Sequence, residues 1–161
     1  MGTASTLNPY AGALAGRDPL ALLPQGPAAL ETALALLGAR RVEQPIAPGK
    51  WSPRQIACHL ADCEIAFSFR LRQALAEDGH LIQPFDQDLW ARPYGASGAL
   101  TAAAALQAYR GLRAWNVALL STVAASAYEK FVTHPQRGTM TFHTLVETMA
   151  GHDQHHLQQL T

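Results

Sequence analysis

Three histidines in this chain have the spacing of metal ligands. His152 and His156 lie four residues apart near the end of the sequence, so on a helix they are about 40° apart on one face. Two imidazoles at positions i and i+4 can present two nitrogens to one cation. His59 lies in an earlier segment and would be the third ligand from a neighbouring helix. Three imidazoles favour zinc, nickel, copper or iron over magnesium or calcium, and leave a fourth position for water or substrate.

The spacing alone leaves other readings open. An H-x-x-x-H pair near a terminus is often only a solvated polar helix end. Cys63, one turn after His59, is either a further ligand or a small core residue. Asp62 is interpreted as a solvated charge, whereas Asp153 either orients an imidazole or is solvated. Arg70 follows on the His59 side and would bind an anionic substrate group or form a salt bridge.

The remaining histidines are not expected to take part in the site. His80 and His134 lie beside Gly79 and Pro135 in predicted loops, where solvent is the simplest surrounding. His143 falls on the helix face opposite His152, and His155 falls at the margin of the His152 face.

The elements that must position these side chains are helices. Ser52, Pro53 and Gln55 form an S-x-x-Q capping box with proline at the first helical position, and no Gly or Pro follows until Gly79. Further helices are predicted from Pro27 to about Leu37, from residues 99–101 to about 122, and from Thr139 or Thr141 to the C-terminus. No strand is predicted, because β-branched residues never alternate over a useful run.

This pattern predicts an all-α fold, an antiparallel four-helix bundle. Residues 1–17 are predicted to be a flexible or surface-draped arm, and residues 18–161 the helical domain. The segment 79–98 is predicted to be a long loop that acts as a lid or substrate wall, or that covers the end of the core. Its aromatic residues are Phe85, Trp90 and Tyr94.

Composition excludes several classes of function. Twelve basic and twelve acidic residues leave no net charge, which argues against binding to nucleic acid or to an anionic membrane surface. The longest uncharged run, residues 93–109, is too short and too polar to span a bilayer. Cys58 and Cys63 would point about 140° apart on a helix, so they should stay unbridged. The N-terminus lacks a signal-peptide pattern, and a cytoplasmic location is predicted.

Three segments carry a resemblance to a known family. KWSP at residues 50–53 with CHLADCE at residues 58–64 resembles the opening of the second helix of DinB/YfiT-like proteins. GHDQHHLQQL at residues 151–160 is similar to the family's closing motif. Residues 110–120 resemble part of its third helix. The resemblance extends over nearly the whole chain from about Asp18.

The resemblance implies a DinB-type four-helix bundle with His59, His152 and His156 as metal ligands, zinc or nickel as the metal, and a homodimer. It also implies an enzyme that acts on a small-molecule substrate, a thiol-dependent S-transferase using a low-molecular-weight thiol as co-substrate. A metal-dependent hydrolase and a non-enzymatic, stress-related bundle with a structural metal are the alternatives. No catalytic residue beyond the metal ligands is assigned.

Overall fold

Four long helices form the framework of the computed structural model, which describes residues 7–95 and 98–161. In chain order the helices are α1 (Ala11–Leu14), α2 (Pro19–Leu22), α3 (Gly26–Val42), α4 (Pro53–Ala76), α5 (Gln87–Ala91), α6 (Ala102–Leu120) and α7 (Phe142–Gln158). Short 3₁₀ turns cover Leu23–Gln25, Arg92–Gly95 and Ala125–Glu129. The long helices α3, α4, α6 and α7 make the predicted four-helix bundle, which is confirmed.

The helix boundaries follow from local chemistry. Ser52 caps α4 through the predicted box: its Oγ accepts from the Gln55 amide at 3.3 Å, and its own amide donates to Gln55 Oε1 at 2.8 Å. Thr101 and Thr141 cap α6 and α7 by accepting from the amide three residues on. Gly38, where a helix end is predicted, interrupts α3 with a φ of 74°, a conformation that glycine adopts without strain.

The helix directions depend on the long connection between α4 and α6. Arg54, in the first turn of α4, donates to the carbonyls of Tyr94 and Leu100 at 2.7 and 3.2 Å. The connection therefore returns along the bundle to the start of α4, and α6 begins there and runs in the same direction as α4. The pairs α4–α7 and α3–α6 are antiparallel. A crossover of this kind requires a long connection, which accounts for the length of the 79–98 segment.

The absence of strands predicted from the sequence is wrong. A small sheet lies at the far end of the bundle: β1 (His80–Leu81) pairs in parallel with β2 (Phe131–His134), which pairs antiparallel with β3 (Gly138–Thr141). These strands have two to four residues, too few for alternation to be recognised. Both His80 and His134 lie in the sheet and are buried, so the expectation that they are solvated is also wrong.

The predicted arm packs on the bundle where the structure describes it. Residues 1–6 lie outside the described residues. Leu14 of α1 is 5% exposed and belongs to the main core, and Asn8 is also buried. The Tyr10 ring lies against His152 and His155 of α7, at centroid distances of 5.1 and 5.5 Å. Residues 7–17 thus contribute to the surroundings of the histidines.

The segment Pro19–Val42 is long and apolar enough to cross a membrane by length and composition alone, and a third of it is buried in the fold. Its side chains Leu22, Leu23 and Leu30 lie in the core. A core helix meets the same criterion, but only a third of the apolar 18-residue window is buried here, so burial in the bundle accounts for part of this composition.

The packing of Tyr10 on α7 leads to a test. A Cβ added at Gly151 would lie 2.7 Å from the Tyr10 carbonyl oxygen and 2.9 Å from its Cβ. Gly151→Ala is therefore expected to displace residues 7–17, to lower stability by about 1–3 kcal/mol, and to accelerate tryptic cleavage after Arg17. Thermal melting and mass spectrometry of the digest measure both effects.

Gly111→Ala is the matched control, because Gly111 also lies inside a long helix and a Cβ there meets nothing within 4 Å. This variant should equal the parent or gain about 0.5–1 kcal/mol in stability. Equal melting temperatures and digestion rates for the two variants would show that the Tyr10 contact with α7 is not needed.

Candidate metal centre

The three predicted imidazoles meet at the end of the bundle where α4 begins and α7 ends. His59 lies in the second turn of α4, and His152 and His156 lie in the last two turns of α7. Because α4 and α7 are antiparallel, these turns face each other. All three side chains are buried, with exposed fractions of 1%, 5% and 7%.

The distances fit a shared cation. The Nε2 atoms of His59 and His152 are 3.0 Å apart, a separation that two nitrogens at about 2.0–2.1 Å from one zinc ion can adopt. The His156 ring centroid lies 4.8 Å from that of His59 and 4.6 Å from that of His152. The structure thus brings the three rings together, but the donor atoms that lie within 4.8 Å of one another are those of His59, Cys63 and His152. His156 as a ligand stays a prediction.

The orientation of His156 favours a ligand role. Its Nδ1 lies 3.0 Å from Gln159 Oε1. The amide oxygen can only accept, so Nδ1 carries the proton and Nε2 is left with a free lone pair. A hydrogen bond of this kind at the second ring nitrogen is the usual way in which a protein fixes the tautomer of a ligating histidine.

The electrostatics keep the three imidazoles neutral. Burial lowers the pKa of His59 to about 3, with a further contribution from His156. Burial likewise lowers the pKa of His156 to about 4, against the hydrogen bond that its Nδ1 donates to Gln159, which raises the pKa. The pKa of His152 is lowered well below its usual range by burial and by the neighbouring imidazoles. At neutral pH no proton has to leave before these rings bind a cation.

Cys63 is the further residue that the structure places in this group. Its Sγ is 3.5 Å from His59 Nε2 and 3.7 Å from His152 Nε2, and ligand atoms of these three residues all lie within 4.8 Å of one another. Burial, followed by the charge of Asp153, raises the pKa of the Cys63 thiol. Its thiolate is therefore disfavoured in the metal-free protein, whereas the imidazoles are ready to bind. Both cysteines are free, as predicted.

Two residues that the sequence analysis did not select surround the imidazoles. The indole of Trp51 lies 4.8 Å from the His59 ring and 6.5 Å, stacked, from the His156 ring. Tyr10 covers the opposite side at His152. Trp51 belongs to the KWSP segment before α4, and the resemblance of this segment to the family was the one sequence signal for its role. The position of Tyr10 depends on tertiary packing, and no local pattern indicates it.

The two acidic residues considered beside the histidines have other partners. Asp153 accepts from Arg113 Nη1 at 2.6 Å and is buried, so it is neither solvated nor bonded to an imidazole within the described residues. Asp62 accepts from the Tyr94 hydroxyl and is only half-buried. Its interpretation as a solvated charge therefore holds only in part.

A buried polar cluster supports α7 next to His152. Arg113 of α6 forms two parallel bonds with Glu64 of α4, at 2.6 and 3.0 Å, as well as its bond with Asp153 of α7. Asn116 donates to Glu64 Oε1 at 2.8 Å. Burial raises the pKa of Glu64 against the effect of Arg113. These bonds hold α4, α6 and α7 together at Asp153, the residue next to the candidate ligand His152.

An open cavity of about 620 Å³ reaches His156, the one candidate ligand among its lining residues. Gln159, Trp51, Tyr10 and residues of the 46–50 connection also line it. A small molecule can therefore approach His156 from this side.

Buried, neutral imidazoles from two antiparallel helices, open to a cavity, define a candidate metal-binding four-helix bundle. The chain belongs to the DinB superfamily, whose family model matches residues 22–160. The family predicted from the sequence is confirmed.

Relatives agree with this assignment. A protein of Bacillus licheniformis is 32% identical over 143 residues, which cover 86% of this chain and 78% of that protein. A protein of Oceanobacillus iheyensis is 29% identical over 113 residues, which cover 70% of this chain and 64% of that protein. Both are named "Putative metal-dependent hydrolase". The chain thus spans a little under two thirds of the length of the second relative.

A solved structure shares the fold. YfiT from Bacillus subtilis superposes with a TM-score of 0.81 at 24% identity, covering 88% of this chain and 81% of that chain. Its description assigns it "an unusual four-helix bundle topology". In the present protein, α4 and α6 run in the same direction, so a departure from the simple alternating bundle is seen here as well.

Proposed function

We propose that this protein is a metal-dependent hydrolase whose cation is held by His59, His152 and His156. The observation that carries the proposal is the 3.0 Å approach of two buried Nε2 atoms from different helices. A bound divalent cation would supply Lewis-acid chemistry, because it lowers the pKa of a coordinated water or thiol. Zinc and nickel are among the metals that suit an all-imidazole site. The names of the relatives support hydrolysis over the other reactions.

The protein's own residues have definite tasks in this proposal. Gln159 holds the His156 proton at Nδ1, and burial keeps the three rings unprotonated. Trp51 and Tyr10 shield the rings from bulk water on two sides. The 620 Å³ cavity gives a substrate access to His156.

Thiol-dependent transfer is the second candidate, predicted from the resemblance. It needs the same neutral imidazoles and the same open approach, and it differs from hydrolysis only in the nucleophile. An experiment can therefore tell the two reactions apart, because only transfer requires an added thiol. A structural metal in a non-enzymatic bundle is the third alternative.

Metal removal and restoration test the proposed function. Chelator-treated protein is expected to lose hydrolysis of chromogenic ester, amide or phosphoester substrates, and stoichiometric zinc or nickel is expected to restore it. Parallel assays with cysteine and monochlorobimane measure thiol transfer. Turnover that appears only with thiol would replace hydrolysis by transfer. A loaded protein without either activity, which unfolds when the metal is removed, would favour the structural alternative.

The predictions of oligomeric state, location and partners come from the sequence and from its resemblance to the family, and they remain proposals. We infer a homodimer of a cytoplasmic protein acting on a small molecule, without nucleic acid or membrane partners. The exposed Leu36 of α3, at 84% exposure, lies beside Leu37 and Leu160 on a largely apolar surface. Such a surface is a suitable place for a second copy to pack. Sedimentation equilibrium checks this proposal: the parent is expected to be a dimer and Leu36→Glu a monomer.

A further inference from the structure

A second, smaller cavity lies on the other side of the candidate metal centre. It has a volume of about 220 Å³ and reaches His152 and Cys63 at its inner end. Phe67 and Phe85 form apolar walls, and the guanidinium groups of Arg70 and Arg137 are its only formally charged lining. No aspartate or glutamate lines it within the described residues.

The two arginines differ from the paired arginines of the protein. Arg54, Arg110 and Arg113 each have a carboxylate oxygen within 3 Å. Across residues 7–95 and 98–161, Arg70 and Arg137 have no carboxylate within 4.0 Å, as is also true of five other arginines. Arg70 and Arg137 are distinguished by the cavity that they share. Two like charges that share a small cavity repel each other, and an anion between them removes that cost.

Arg70 is held in place before any ligand arrives. Its guanidinium carbon lies 5.8 Å from the centre of the Phe67 ring and 5.4 Å from that of Phe85, within the range of cation–π attraction. Its Nη2 donates to the Gln83 carbonyl at 3.2 Å. Its other N–H groups have no hydrogen-bond partner among residues 7–95 and 98–161 and can bind oxygen atoms. A fixed planar donor suits a carboxylate or a phosphate.

Arg70 and His152 both lie next to the Phe67 ring. Its centre is 5.8 Å from the Arg70 guanidinium carbon and 6.3 Å from the His152 ring centroid, so the guanidinium and the imidazole are at most about 12 Å apart. A compound with an acidic group and a reactive group a few bonds apart can contact both ends at once.

We propose that this cavity binds an acidic group of the substrate, a carboxylate or a phosphate, through Arg70 and Arg137. This inference rests on the proposed function, because it places the reactive part of an acidic substrate at the metal centre. Binding of a group remote from the reacting atoms positions the substrate. Loss of this binding would mainly raise KM. The substrate class is thereby narrowed to small anionic compounds.

Calorimetric titration of the zinc-loaded protein tests the proposal. Succinate and inorganic phosphate are the probes, and succinamide is the neutral counterpart of succinate. We expect at least one anion to bind and succinamide not to bind. Arg70→Gln and Arg137→Gln should each weaken anion binding at least tenfold, whereas Arg110→Gln, an exposed arginine paired with Glu31, should leave it unchanged. The preferred anion tells a carboxylate site from a phosphate site.

Zinc content, measured on every sample, distinguishes failure of the anion site from failure of the metal centre. If zinc is retained but neither anion binds, or if both bind equally to Arg70→Gln and the parent, the anion site is overturned and the metal centre stands. If the parent protein does not retain zinc, the proposed function fails first. Arg137→Gln keeps the test valid should Arg70→Gln fold poorly, because Arg137 lies in the turn after β2, outside the helical core.

Discussion

His156→Ala is expected to lower the affinity for zinc at least about 100-fold, while Cys63→Ser changes it less than about tenfold. Loss of a residue that merely orients a ligand costs 10–100-fold, so loss of a ligand should cost more. The two substitutions decide between two sets that share His59 and His152. One is the predicted all-imidazole set, and the other is the group that includes Cys63.

The physical argument for His156 over Cys63 is the protonation state of each candidate ligand before a metal binds. Its Nδ1 proton is bonded to Gln159 and its pKa is lowered to about 4, so Nε2 offers a lone pair at neutral pH. The Cys63 thiol has a raised pKa and must first lose a proton in buried surroundings. Its 3.5 Å contact with His59 Nε2 fits a neutral thiol beside an imidazole.

Competition with a chromophoric chelator at pH 7 measures the affinities. His143→Ala is the matched control, because His143 lies on the same helix, is exposed, and pairs with Glu147 rather than with the candidate ligands. It should bind zinc as the parent does. The opposite ranking, with Cys63→Ser losing zinc and His156→Ala retaining it, would assign the site to His59, Cys63 and His152.

The helices could be read from the sequence because their signals are local. The Ser52 box, the Thr141 cap and the Gly38 break each depend on residues within one turn. The Ser52 box appears where predicted, and Thr141 is one of the two caps predicted for α7. At Gly38, where a helix end is predicted, α3 is interrupted but continues to Val42. The grouping of the histidines followed from helix periodicity together with the assumption that two helices face each other.

The features that the sequence did not indicate depend on distant partners. The short strands that bury His80 and His134 are stabilised by pairing across some fifty residues, as in the register His80 to Val132. The shared direction of α4 and α6 is set by where the long connection ends, at Arg54. Arg113 was not singled out either, because an isolated arginine in a helix gives no sign that two carboxylates will meet it in the core.

Arg113 is the position where a single substitution should destabilise the fold most. The residue is 1% exposed, and its single positive charge is shared by two buried carboxylates, Glu64 and Asp153, at 2.6 Å each. Its Nη1 also donates to the Leu23 carbonyl at 2.9 Å. Arg113→Ala leaves both acids without their cation, and breaking a buried pair in this way costs about 3–5 kcal/mol. For a chain of this size the melting temperature should fall by about 6–20 °C.

Arg110→Ala gives the comparison within the same helix. Arg110 lies one turn earlier in α6 and forms an exposed pair with Glu31 at 2.8 Å, a contact worth at most about 1 kcal/mol. Calorimetric melting of both variants measures the difference. Arg113→Met combined with Glu64→Gln should recover part of the lost stability, since one of the stranded carboxylates is then neutral.

The same variant tells whether the cluster also serves the candidate metal centre. Asp153 follows His152 directly, and its bond to Arg113 holds that turn of α7 against α4 and α6. Arg113→Ala studied well below its melting temperature should therefore bind zinc more weakly than Arg110→Ala. If Arg113→Ala melts no earlier than Arg110→Ala, the buried cluster does not stabilise the bundle. If it melts early but binds zinc like the parent, the cluster supports the fold and not the position of His152.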